Sequence, residues 1–127
     1  MKIENDFILW LLGINEDNPL PLETDYVYFC LHNENEQSFI SFGADEFEQK
    51  ICLNFSYQPL EAEYFNACFY DKNFSLLSLR RLIEKTLQNV NVSKIFASKK
   101  IFIAIFGSNE KYFIPQDDVQ ACERIES

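Results

Sequence analysis
Apolar residues alternate with polar ones in period two along four runs, at 26–32, 38–42, 51–57 and 64–70. This period turns successive side chains to opposite faces of a pleat, and the runs are rich in the aromatic and β-branched residues that suit one. The intervening segments, 33–36, 43–50 and 58–63, are short, polar and acidic, as hairpin loops are. The pattern predicts a four-stranded antiparallel meander. One face collects Val27, Phe29, Leu31, Ile40, Phe42, Ile51, Leu53, Phe55, Phe65, Ala67 and Phe69, a core face. The other holds Tyr26, Tyr28, Cys30, His32, Phe39, Ser41, Cys52, Asn54, Ser56, Tyr64, Asn66, Cys68 and Tyr70. Tyrosine pairs a large apolar body with a polar tip, so this face is either a second layer under another element or a contact surface.

Outside the meander the period changes. Residues 4–13 place Phe7, Trp10 and Leu11 at helical spacing, with Asn5 or Asp6 as N-cap and Gly13 as stop; an apolar strand is the competing reading. Pro19 and Pro21 make 15–24 a loop. Residues 75–89 form the clearest helix, capped by Ser75, stapled by Phe74 and Leu79, and striped by Leu76, Leu79, Leu82, Ile83, Leu87 and Val90. This stripe is expected to face Phe29, Leu53 and Phe55, leaving Arg80, Arg81, Lys85 and Gln88 in water. Residues 92–98 are ambiguous. Residues 100–106 are apolar on both faces, which marks a central or covered strand. A turn at 107–110 leads to a short strand, 111–114, stopped by Pro115, and 117–125 can form a last helical turn.

The expected fold is therefore α+β, a single domain over 1–127: an antiparallel sheet of about six strands, containing the meander, with a long helix packed on one face. A chain of 127 residues that is 47% hydrophobic with 13 Phe can build a core of its own. Four cysteines, at 30, 52, 68 and 122, occur singly without CxxC spacing or a basic leader. They read as free thiols of a cytoplasmic protein. The apolar run at 7–14 is too short to span a bilayer.

Charge narrows the partners. The net charge is −9, which argues against nucleic acid or an anionic membrane, since both need a basic footprint. Residues 1–70 carry 13 acids against Lys2 and Lys50, a balance of −11, whereas 71–127 carry 7 acids against 9 bases.

Candidate chemistry is sparse. His32 is the only histidine, so any serine or cysteine nucleophile must use it; the competing reading is a solvated strand-end side chain. Cys30, His32, Cys52 and Cys68 share a face by parity, but in the meander Cys52 and Cys68 can be cross-strand neighbours while Cys30 sits two strands away, about 10 Å at ~4.8 Å per strand, too far for bonds of about 2.0–2.3 Å to one zinc ion. The acids cluster in turns rather than as a cleft pair. The cations at 80–100 lack the glycine-rich loop of a phosphate site. The expectation is no enzyme, no metal and no cofactor.

A small, acidic, aromatic-rich chain of this kind resembles, in overall profile, the immunity proteins with which bacteria neutralise their own toxins. That resemblance implies a stoichiometric inhibitor of a basic protein partner, a toxin such as a nuclease. The alternatives are a small-molecule-binding or enzymatic α+β domain with a pocket between helix and sheet, or a homo-oligomer joined through the tyrosine face. Up-and-down strands would line Glu23, Asp25, Asp45, Glu46, Glu48 and Asp71 along one rim, flanked by Tyr26 and Tyr70. These eight residues are the expected partner-binding set, the acids steering and the rings anchoring. The opposite rim would carry Glu34, Glu36, Glu61 and Glu63.

Overall fold
The computed structural model describes residues 2–35 and 37–115. The elements run α1 (Lys2–Asp17), β1 (Tyr26–Glu34), β2 (Gln37–Asp45), a 3-10 turn (Leu60–Glu63), β3 (Phe65–Asn66), α2 (Leu76–Thr86), α3 (Val90–Ile95), β4 (Lys100–Ile105) and β5 (Lys111–Ile114). The expected helical turn at 117–125, Cys122 and Glu36 lie outside the described residues. The fold is α+β, with a mixed sheet ordered β3-β2-β1-β4-β5.

The hairpin of β1 and β2 forms as expected, closing with Glu34 opposite Gln37 and running to Tyr26 opposite Asp45. Beyond it the meander is corrected. Among the described residues the sheet has five strands rather than six, and β1 pairs in parallel with β4, Leu31 opposite Ile105. A parallel pair needs a crossover, and the segment through α2 and α3 supplies it. The apolar faces of 100–106 did mark a central strand: β4 lies between β1 and β5.

Two expected strands fail. Residues 51–57 form a loop tied to the sheet through Tyr57 and Ala44, whose amides and carbonyls bond reciprocally at 2.9 and 3.1 Å. Of 64–70 only Phe65–Asn66 is strand, because Ala67 and Cys68 then turn to donate together to the Ser38 carbonyl at 3.1 and 3.0 Å. Ile51, Leu53 and Phe69 are consequently exposed rather than core.

The core lies between the sheet and helices α1, α2 and α3, where Val27, Phe29, Leu31, Ile40, Phe42, Ile101 and Ile103 meet Phe7, Leu11, Ile14, Leu79, Leu82, Ile83, Val92 and Phe96. Helix α1 runs through Gly13, its expected stop, to Asp17. Phe7, Leu11 and Ile14 sit at i, i+4 and i+7 and are all buried. Burying Ile14, worth about 1.5–3 kcal/mol, outweighs the ~1 kcal/mol cost of a helical glycine. Helix α2 is shorter than expected, ending at Thr86, but its start is as read: Ser75 Oγ accepts the Ser78 amide (3.2 Å) while Ser78 Oγ accepts the Ser75 amide (3.1 Å). The ambiguous stretch at 92–98 contributes to α3, capped by Asn89.

Candidate protein-binding face
The sheet face away from the helices is divided in two. Over the end where β1 begins lies the loop of residues 46–57. Gln49 organises it: its amide N–H donates to the Tyr28 hydroxyl (2.8 Å), its side-chain amide bonds Asp45 and the Asn54 carbonyl, and its Oε1 accepts the Leu53 amide (3.3 Å). Lys111 Nζ donates to the Gln49 carbonyl (3.0 Å) and pairs with Glu48 (2.9 Å). Cys52 is anchored at the β4–β5 turn, donating to Ser108 (3.1 Å) and accepting from Gly107 (2.8 Å). Beneath this loop Tyr28, Cys30, Cys52, Phe102 and Ala104 form a second, smaller core. Burial pushes the Tyr28 phenol up to about 12.

Phe55 stacks on Tyr28 with ring centroids 5.3 Å apart. It also presses against Gly43: a Cβ there would stand 2.4 Å from Phe55 Cγ and 2.8 Å from its Cβ. Gly43→Val is therefore expected to lift Phe55 and cost about 1–3 kcal/mol, as overpacking does. Chemical denaturation would read the loss and faster thiol labelling of Cys52 the lifted loop; an unchanged labelling rate would show that the loop does not seal this face.

The other half of the face is open. Four rings cross it in a row, each on a different strand or strand end. His32 lies between Phe39, with centroids 4.3 Å apart and planes at 12°, and Phe106, at 4.2 Å and 24°. Tyr64 extends the row from Phe39 at 4.8 Å. Sheet register sets this order: His32 pairs with Phe39, Phe39 pairs with Asn66, and Phe106 follows the residue paired with Leu31. Stacked this way, the rings cover one another's faces and present their edges outward. Phe106 is 38% exposed and Tyr64 50%. Leu53, 43% exposed, continues the strip beside Gly107, its Cδ1 4.0 Å from where a Gly107 Cβ would stand.

His32 Nε2 and Ser41 Oγ are 2.8 Å apart, and Ser41 is buried. Ser41 also bonds the Cys30 thiol, which burial pushes up to about 12, so at neutral pH that sulfur is a packing atom rather than a nucleophile. Among the described residues no group of three or more His, Cys, Asp or Glu side chains is placed to hold a metal ion. Cys30, Cys52 and Cys68 are free thiols.

Burial in the ring stack lowers the His32 pKa from its ordinary 6.5, opposed by Glu34 on the same strand. The unfolded chain then takes up this proton first, so the stabilising contribution is complete above about pH 6.5 and is lost as pH falls below it. The stability difference between wild type and His32→Gln should accordingly shrink from pH 7.5 to pH 5.5 in urea titrations. A difference that grew would mean the stack favours the imidazolium.

The eight residues expected to bind a partner are not brought together. Tyr26 and Asp45 pair directly, and Glu23, Asp25, Glu46 and Glu48 lie in the adjoining segments. Tyr70 and Asp71 belong to the opposite end, because Tyr70 stacks on Phe65 (5.7 Å) and both amides donate to the carbonyl of Ala67, whose own amide donates to the Ser38 carbonyl. Asp45 lies seven residue steps along β2 from Ser38, about 24 Å at ~3.4 Å per residue. The first cluster is also partly neutralised. Lys99 lies close to Asp25 and Glu23, Lys100 Nζ sits 5.5 Å over the Tyr26 ring, Glu48 is paired with Lys111, and Asp45 accepts from Gln49 and from the Ser56 amide (3.1 Å). Glu34, two residues beyond His32 on β1, and Glu63, next to Tyr64, are exposed, and among the described residues neither forms an ion pair.

Period-two parity did place His32, Phe39, Ser41 and Tyr64 on one face. It missed Phe106, because a parallel β1–β4 pair has no local sequence signal. It also treated all the tyrosines alike, whereas Tyr28 is sealed under the loop and Tyr70 lies on the helix side. No helix among the described residues is long and apolar enough to cross a membrane. No family model, curated protein or solved structure matches the chain.

Proposed function
We propose that this chain is a protein-binding inhibitor that neutralises a basic partner stoichiometrically, in the manner of an immunity protein acting on a nuclease-type toxin. The observation that carries the reading is the open row Tyr64–Phe39–His32–Phe106, continued by Leu53, with the carboxylates of Glu34 and Glu63 on the neighbouring residues of β1 and of the chain before Tyr64. Aromatic anchors ringed by charge are what tight protein interfaces use, the rings holding the complex and the acids accelerating encounter. In this reading the docking surface moves from the rim of Glu23, Asp25, Tyr26, Asp45, Glu46 and Glu48, where lysines and loop contacts engage most of the acids, to the hairpin end. Tyr70 and Asp71 are no part of it.

The partner to test is the product of the gene beside this one, if that product is basic. Measured by surface plasmon resonance, Phe39→Ser and Phe106→Ser should each weaken binding about 30-fold or more, the scale of a ~2 kcal/mol hot spot. Glu34→Ser with Glu63→Ser should slow association more than Glu23→Ser with Glu46→Ser, and rising salt should slow it further. Unchanged affinity in both aromatic variants would refute the assignment of the surface; absence of a 1:1 complex would refute the inhibitor reading for that pair.

A further inference from the structure
Between the first turn of α1 and the exposed side of α2 lies a cleft of about 540 Å³, lined by Ile3, Asp71, Phe74, Arg81, Leu82 and Lys85 among others. Its size falls within the ~300–1,000 Å³ of small-molecule sites. The floor is apolar: Phe74 and Leu82 are buried beneath it, and Ile3 is half-buried. The mouth is basic. Arg81 and Lys85, four residues apart on α2, are exposed, and among the described residues neither forms an ion pair. Lys2 faces them from α1, held by Asp6 at 3.3 Å. Asp6 in turn accepts the Tyr70 hydroxyl at 2.6 Å, which fixes the wall on that side. Asp71 spends one oxygen on its own turn, accepting the Asn73 amide at 2.9 Å.

We propose that this cleft binds a small amphiphilic carboxylate, with its hydrocarbon part on Ile3, Phe74 and Leu82 and its carboxylate on Arg81 and Lys85. Hydrocarbon on the floor gains from leaving water, and a guanidinium fork matches a carboxylate two-to-two. Two uncommitted cations at the mouth of an apolar cleft, on a molecule of net charge −9, supply a local attraction for a monoanion that the rest of the surface repels. Asp71 on the same rim opposes a second negative charge, which selects against a phosphate monoester. The site lies on the helix side, away from the ring row, and so stands independently of the inhibitor reading.

The test is a heteronuclear NMR titration of the full chain with sodium octanoate, with octylammonium and inorganic phosphate as separate arms. Expected are saturable shifts at Ile3, Phe74 and Leu82 with octanoate, binding of octylammonium at least about tenfold weaker, and no saturable shift with phosphate. Arg81→Glu with Lys85→Glu should weaken octanoate at least about tenfold, a difference of ~1.4 kcal/mol or more. Both positions are exposed, and Arg81→Gln with Lys85→Gln gives a milder reading of the same loss should the reversed pair disturb α2. Equal binding of octanoate and octylammonium would overturn the proposal, since the cations would then play no part. So would shifts centred elsewhere, saturable binding of phosphate alone, or octanoate affinity unchanged in both double variants.

Discussion

Phe29→Ala is expected to lower stability by about 3–5 kcal/mol, as truncating a fully packed aromatic does. Phe29 is 1% exposed on β1, the middle strand of the five. Its ring meets three others: Phe42 at 5.1 Å, Phe96 at 5.7 Å and Phe7 at 6.0 Å. These come from β2, from the end of α3 and from α1, so the cavity would open where sheet and two helical segments converge and no single element can move to fill it. A domain of this size has about 5–15 kcal/mol in all, so the variant should sit close to unfolding at 37 °C. A shift in urea midpoint equivalent to less than about 1 kcal/mol would show that the ring cluster is not the centre of the core.

The second large effect separates two layouts of the same helix. Leu79→Ala and Ile83→Ala should each cost about 2–5 kcal/mol, because Leu79 is fully buried, Ile83 is 1% exposed, and α2 packs on α1 and β4. The meander layout would give Leu53→Ala a similar cost, since it puts Leu53 under this helix. In the structure Leu53 is 43% exposed on the opposite side of the sheet, so Leu53→Ala should cost under about 1 kcal/mol. Comparable losses at Leu53 and Leu79 would restore the meander.

These variants also mark what could be read from the chain. The hairpin, the stripe of α2 with its Ser75 cap and the two-sided burial of β4 rest on local periodicity and capping, which short windows of sequence hold. The fate of 51–57 does not. Its alternation would send Cys52 and Phe55 to opposite faces, but both pack from a loop on the second face, held by Gln49 and by the turn at Gly107 and Ser108. The parallel pairing of β1 with β4 joins residues about 75 apart in the chain, Tyr26 opposite Lys100. Local pattern is silent on such a pairing, and the ring row depends on it for Phe106. Without that pairing the acids at the start of β1 look like the strongest surface feature, because the lysines of 99–111 that approach them are remote in sequence.

The most direct test of the proposed surface is amide hydrogen exchange on the complex with the basic product of the adjacent gene. Protection is expected over residues 31–41, 64–66 and 105–107, the strands and strand ends that carry the ring row, with residues 23–26 and 45–48 exchanging as in the free protein. Protection confined to 23–26 and 45–48, or none at the ring row in a saturated complex, would contradict it.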